Sequence, residues 1–453
     1  MVNKWDFNQV RALKLLARRI VHEGYRKLLL KLAQIISVGT SIKEFLRLEF
    51  SRLMMSFENE YGRRMSKLKT YAEAYSSVLT SCGFVSIAML LTSMIYGAYP
   101  PDQVLTLTIF VIVILQALTA VLICINSPLD RILHKMDHRP AEIRRIESLL
   151  KPCMIIAILI LVVPNVLYVL GILDLNLIEL PILRHLFPYP IFMIGSGLIM
   201  FYVGHKGRKL VSKVKELEAY FPVFIKTYGE AATVVSSSPL GIMKTIIYND
   251  FGALNDLVKK FYKRLKMGVD PDVCWRLFRA GSGSVLISRT LEIYHKATKV
   301  GGDSREISDN ITNFVSMILL LRKRREQVAG YSRGLIVPIH ATIIAIFALI
   351  RSLMIVFARF VELVAPYISF LSYVPESAMN IYLFIVMMAL IIGNALALHF
   401  LEGESAFSFP YYLGIFLVIT GIIFYITSFG TEQLLSIFTR YGEELGELVG
   451  EEG

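Results

Sequence analysis

The sequence lacks the short motifs that carry familiar chemistry. It has no GxxxxGK[ST] phosphate loop, no HExxH zinc helix and no GxSxG nucleophile elbow. An enzyme is therefore not expected, and neither is a cofactor. Its four cysteines, Cys82, Cys124, Cys153 and Cys274, stand far apart, with no CxxC pair and no Cys/His cluster at zinc spacing. They are expected to be small apolar side chains rather than ligands or bridges. The long alternating strands of an outer-membrane barrel are missing too. No signal peptide is recognisable in the polar first 79 residues, so the N-terminus is expected inside the cell.

What the chain has in quantity is apolar surface. It is 55% hydrophobic with a mean hydropathy of +0.57. A bilayer core of roughly 30 Å takes about 20 apolar residues of helix. Seven stretches approach this length: 80–99, 104–125, 153–173, 187–204, 335–357, 380–401 and 411–429. Backbone groups in hydrocarbon must pair within their own segment, so these stretches should be helices. The fourth is short and glycine-rich. The expected fold is an all-α polytopic membrane protein with about seven transmembrane helices and two cytoplasmic helical bundles, the N-terminal one truncated.

Charge sets the expected orientation through the Lys/Arg bias of the loops. With the N-terminus inside, 44 of the 48 Lys/Arg fall on cytoplasmic segments, and only Arg184, Arg351, Arg359 and Arg440 do not. The segment 205–333 alone holds 23 Lys/Arg against 12 Asp/Glu. This reading divides the chain into a bundle at 1–79, a hairpin at 80–126, a loop at 127–152, a hairpin at 153–204, a bundle at 205–334, three spans at 335–430 and an acidic external tail at 431–453.

Both polar segments read as helices. In the first, Gly39 stops one helix, Ser41 and Glu44 form a capping box, and a long helix from Ile42 feeds the first span. In the second, a helix covers 206–236 with a break or kink expected at Pro222. Shorter helices follow, closed by Gly268 and opened by Asp270 with Pro271 behind it. Gly281 and Ser282 read as a flexible helix–helix turn rather than a phosphate cradle, having neither a preceding strand nor a lysine. Gly301 and Gly302 end another helix, and Asp303 or Ser304 caps the last. Residues 38–45 also align without a gap on 300–307, which points to an internal duplication.

These segments resemble the type II secretion F domain family, the polytopic platform proteins of type IV pili, type II secretion systems and the archaellum. The likeness runs from Glu216 to Lys226, from Ser236 to Leu240 and from Leu265 to Pro271. It continues from Gly281 to Arg289, from Ala297 to Asp303 and in the Gly393–Ser405 stretch that carries Gly403 and Glu404. The serine-rich turn and the Gly-Gly-Asp turn are similar to the archaeal branch, especially its archaellum members. The resemblance implies docking of a hexameric cytoplasmic secretion or motor ATPase. It also implies coupling of that ATPase's movements to assembly, and possible rotation, of a filament of pilin- or archaellin-like subunits. A homodimer held among membrane lipids is expected.

The candidate docking residues are basic: Lys259, Lys260, Lys263, Arg264 and Lys266, then Arg322, Lys323, Arg324 and Arg325, with Arg63, Arg64, Lys67 and Lys69 in the first bundle. For 322–325 the competing reading is an anchor on anionic lipid, at roughly 1 kcal/mol per residue. Nucleic acid is not expected, because the aromatic residues keep helical core spacing instead of interleaving with the basic ones. His340 and His399, at membrane depth or its edge, should bond neighbouring helices. Arg351 should snorkel outward or join a second copy. An adhesive pilus or secretion platform is the nearest alternative. A secondary transporter is a more distant one, and it would need polar groups converging between broken helices.

Overall fold

In a computed structural model of the protein, the described residues are 8–95, 101–128, 130–136, 138–169, 189–235, 238–364 and 375–450. The outer loops expected around 98–103 and 174–186 lie partly or wholly outside them. So do the turn residues Ser236 and Ser237 and much of the outer segment 358–379, whose apolar residues Phe360, Val361, Leu363 and Val364 make it a candidate interfacial helix by sequence. Among the described residues the chain is helical without a named strand. Its order is α1 (Gln9–Arg19), α2 (Glu23–Val38), α3 (Ile42–Ile95), α4 (Pro101–Asn126), α5 (Ala141–Val169), α6 (Tyr189–Val234), α7 (Pro239–Ile246), α8 (Asn255–Lys266), α9 (Pro271–Ser282), α10 (Val285–Lys299), α11 (Ser304–Val364), α12 (Glu376–Glu402) and α13 (Ser408–Gly450). The all-α polytopic class holds.

The chain divides into two units, Met1–Arg63 and Arg64–Gly453. In the first, α1 packs on α2 and buries Ala17, Leu29 and Ala33. Lys31 on α2 reaches Glu49 on α3 at 3.0 Å, and Arg52 pairs with the same carboxylate. Gly39 takes a left-handed φ of 79° and Ser41 accepts the Glu44 amide at 3.4 Å, as the capping box requires.

In the second unit, six helices are long and apolar enough to cross a membrane, by length and composition: α3, α4, α5, α11, α12 and α13. The count differs from seven because 187–204 does not qualify among the described residues. Only 189–204 of it is described, an apolar run that opens α6 and is too short by itself, ahead of His205 and Lys206, to count as a span. That part nevertheless lies along α13. A Cβ added at Gly197 would stand 2.9 Å from Leu417, and one at Gly421 would stand 2.6 Å from Ile194. Small residues let two helix backbones approach this closely, as in membrane helix pairs.

The rest of this unit holds a helical bundle built from the second half of α6, from α7 to α10 and from the start of α11. Its core is aromatic: Phe224 stacks on Phe278 at 5.4 Å, and Trp275 meets Phe261 at 4.5 Å. Of the break or kink expected at Pro222, the break does not occur, since α6 continues through the proline. One missing N–H is outweighed by Phe221 and Phe224, both fully buried on either side of the proline. The bundle and the apolar helices therefore share two continuous rods, α6 and α11.

Candidate functional site: the joint between bundle and apolar helices

The bundle meets the apolar helices at a joint made of buried charge. On α6, Glu218 follows the spacing of the core residues Phe221 and Ile225 and is completely buried. Arg322 on α11 donates to Glu218 Oε2 at 2.5 Å, and holds Asp130 with two bonds of 2.6 and 2.8 Å. The Ser284 hydroxyl donates to the other Glu218 oxygen. Burial pushes the Glu218 carboxyl up from its ordinary value, while Arg322 and Ser284 pull it back. A charged pair removed from water survives only when its lone pairs and protons are satisfied in this way.

Asp130 belongs to the segment between α4 and α5, and that segment is laid against the bundle. The Val285 amide donates to Ile132 O at 2.8 Å and the His134 amide to Gly283 O at 3.0 Å, which forms one antiparallel bridge. His134 Nε2 lies 3.2 and 3.1 Å from the carbonyls of Arg279 and Ala280, and its Nδ1 accepts the Met136 amide. Nε2 therefore carries the proton and the ring is neutral. Burial lowers its pKa from the ordinary 6.5, against the two carbonyl contacts, which raise it.

One helical turn beyond Arg322, Arg325 is 4% exposed and closes the joint from the other side. It donates to Leu401 O at 3.0 Å, Phe400 O at 3.0 Å, Pro128 O at 2.7 Å and Ser127 Oγ at 2.5 Å. Five donors in a fixed fork suit such a cluster of acceptors. Gly403 follows in a left-handed conformation, φ 55°, and a Cβ there would overlap the Arg325 guanidinium. Glu404 then pairs with Lys215 of α6. Arg208, stacked on Tyr411 at 4.2 Å, holds Glu402 at 2.6 Å. Burial raises the Glu404 carboxyl despite Lys215.

The basic residues expected to form one docking surface therefore separate. Arg325 is buried and Arg322 half-buried, whereas Lys323 and Arg324 are exposed beside them. On α8, Val258, Phe261 and Leu265 enter the core, which leaves Lys259, Lys260, Lys263 and Lys266 exposed and Arg264 half-buried. Arg63, Arg64, Lys67 and Lys69 are exposed along α3, with Arg63 ending the first unit and Arg64 opening the second. The turn residues behave unequally. Gly268 and Gly301 have φ of 79° and 88°, Asp270 caps α9, and Asp303 accepts the Arg305 and Glu306 amides at 2.9 and 3.3 Å. Gly302 sits against Ala297 and Ile307. Gly281, expected in a turn, is inside α9; Gly283 takes the left-handed position, and Ser282 is buried behind it.

Glu218, Asp130 and Ser284 were not among the expected residues. The signal was present for the first: a carboxylate on the apolar stripe of an amphipathic helix must have a buried partner. Among the described residues no group of three or more His, Cys, Asp or Glu is placed to hold a metal ion. At the joint three chain segments are fixed to one another by charge-assisted bonds.

Comparison with known proteins gives two relatives. The chain is 26% identical over 445 residues to the flagella accessory protein J of Methanocaldococcus jannaschii, an alignment covering 96% of this chain and 77% of that protein. It is 26% identical over 341 residues to the flagella accessory protein J of Methanococcus voltae, covering 74% of this chain and 59% of that protein. No family model matches the chain, and no solved structure matches it.

Proposed function

We propose that this chain is the membrane platform of an archaeal type IV filament machine, with the archaellum as the machine. Its similarity to two flagella accessory J proteins supports an archaellum-related role. In this reading the bundle faces the cytoplasm and receives a hexameric ATPase on the exposed basic face of α8. The movement is passed to the apolar helices, where filament subunits are taken up.

One observation carries the proposal. The bundle is connected to the apolar helices through two unbroken rods, α6 and α11, cross-tied by the Glu218–Arg322–Asp130 joint. A hinge between them would waste an imposed displacement, whereas a cross-tied joint passes it on. The test is capture of the ATPase encoded beside this chain by the purified membrane protein. Reversing Lys259, Lys263 and Arg264 to glutamate should reduce capture several-fold, and added salt should do the same, since exposed charges are screened over about 8 Å at physiological strength. Unchanged capture would move the contact off α8. No capture by the wild-type chain would sink the platform reading, as would external thiol labelling of a Lys263→Cys variant.

A further inference from the structure

Five of the six candidate spans each contribute one polar side chain to a single buried chain of hydrogen bonds. Tyr75 on α3 lies 2.8 Å from Gln116 Oε1 on α4 and 2.6 Å from Asn394 Oδ1 on α12. Asn394 Nδ2 is 3.0 Å from His340 Nδ1 on α11, and His340 Nε2 is 2.9 Å from Thr420 Oγ1 on α13. None of the five is more than 3% exposed. Gly393, beside Asn394, leaves the space, because a Cβ there would stand 2.5 Å from Gln116 Oε1.

We propose that this chain of contacts is a directional brace that binds α3, α4, α11, α12 and α13 into one rigid body. The inference does not rest on the platform reading. A phenol has one hydrogen, and amide oxygen and nitrogen are assigned by their network. If the Tyr75 hydrogen goes to Asn394 Oδ1, Gln116 must meet Tyr75 Oη through Nε2, an atom otherwise buried with no partner. Asn394 Nδ2 then donates to His340 Nδ1, so the imidazole proton sits on Nε2 and points to Thr420. Every link has one donor and one acceptor. The reverse direction leaves the Gln116 amide nitrogen with nothing better than the weakly accepting Cys82 sulfur, the costlier defect.

Polar convergence of this kind is also what a transporter would show. Two features oppose that use. The helices that carry the network run unbroken through it, whereas transporter sites are built at discontinuous helices. Two of the five side chains are carboxamides, which do not take up a proton at one atom and release another, so the chain is a poor proton wire.

The experiment uses the full-length protein, purified in detergent and also reconstituted in vesicles. Tyr75→Phe and Thr420→Val each remove one hydroxyl with little change of shape. Each should shift the unfolding equilibrium about three- to tenfold, the range of interhelical hydrogen bonds in membranes. In a brace the double variant should lose less than the product of the two. Nitrogen-15 spectra of His340 should show the Nε2–H tautomer, and Tyr75→Phe should alter them across two helices. Wild-type stability in both single variants, or strictly multiplicative losses with unchanged His340 spectra, would overturn the brace. Proton flux through wild-type vesicles that Tyr75→Phe abolishes would overturn it in favour of conduction.

Discussion

Two basic runs look interchangeable in the sequence and are opposites in the fold. Lys259 to Lys266 on α8 stand on the outside of the bundle, with their apolar neighbours Val258, Phe261 and Leu265 turned inward. Arg322 to Arg325 on α11 alternate: Lys323 and Arg324 face out, while Arg322 and Arg325 are built into the joint. The difference follows from the neighbours. α8 packs one face against an all-apolar core, so its charges have nowhere to go but water. α11 passes between two bodies, and at that level it meets carboxylates and unpaired carbonyls. A charge run is a solvated face only where its helix has one free side.

The comparison is sharpest at Glu218. Its replacement by Ala should cost about 3 kcal/mol of stability, because half-buried Arg322 and buried Ser284 both lose a charged partner. Chemical denaturation of the detergent-solubilised protein measures this, and a loss no larger than that of a surface mutation would mean the joint is not held by charge. Arg325→Ala should follow at about 2–3 kcal/mol, since several acceptors lose a charged donor together. Gly403→Ala should reproduce part of that loss by pressing on the same guanidinium. If it is silent, the Gly403 turn is not what positions Arg325.

A smaller effect comes from His134. Its folded-state pKa is lowered, so the fold favours the neutral ring. The stability this contributes is complete above the unfolded value near 6.5. It is lost as pH falls below that value toward the lowered folded one, and no more is lost beneath it. Protection of the Val285 and His134 amides, measured against the intrinsic exchange rate at each pH, should therefore fall on acidification, and His134→Phe should remove the dependence. Smallest of all is charge reversal at Lys259, Lys263 and Arg264, which should leave the unfolding midpoint where it is. A marked drop would show that α8 has a structural duty and erase the contrast with α11.

Much of this was readable without coordinates. Apolar length gave seven stretches; six lie in helices long and apolar enough to span, and the seventh, described only from Tyr189, opens α6. Local caps were legible because their chemistry is local: the aligned turns at 38–45 and 300–307 share a left-handed glycine and a side-chain oxygen three residues before a glutamate amide. Arg351 bonds Asn380 on α12 at 2.8 Å, a contact that no local pattern announced. His340 reaches neighbouring helices as its depth suggested, whereas His399 leaves Nδ1 buried without a hydrogen-bond partner. The core stripe of α11, with Leu321, Arg325, Ala329, Ser332 and Ile336 all buried, carried a periodic hint about Arg325 that charge counting overrode.

By itself the sequence determined the helical class, the apolar spans and the turns, because each depends on residues within a few positions of one another. The tertiary structure alone decided which charges are inside. Glu218, Arg322 and Asp130 are separated by scores of residues, and a charge's partner is set by where distant segments meet. The same holds for the five side chains that brace the spans. Each looks like an isolated polar residue along its own helix, and only packing shows that they touch.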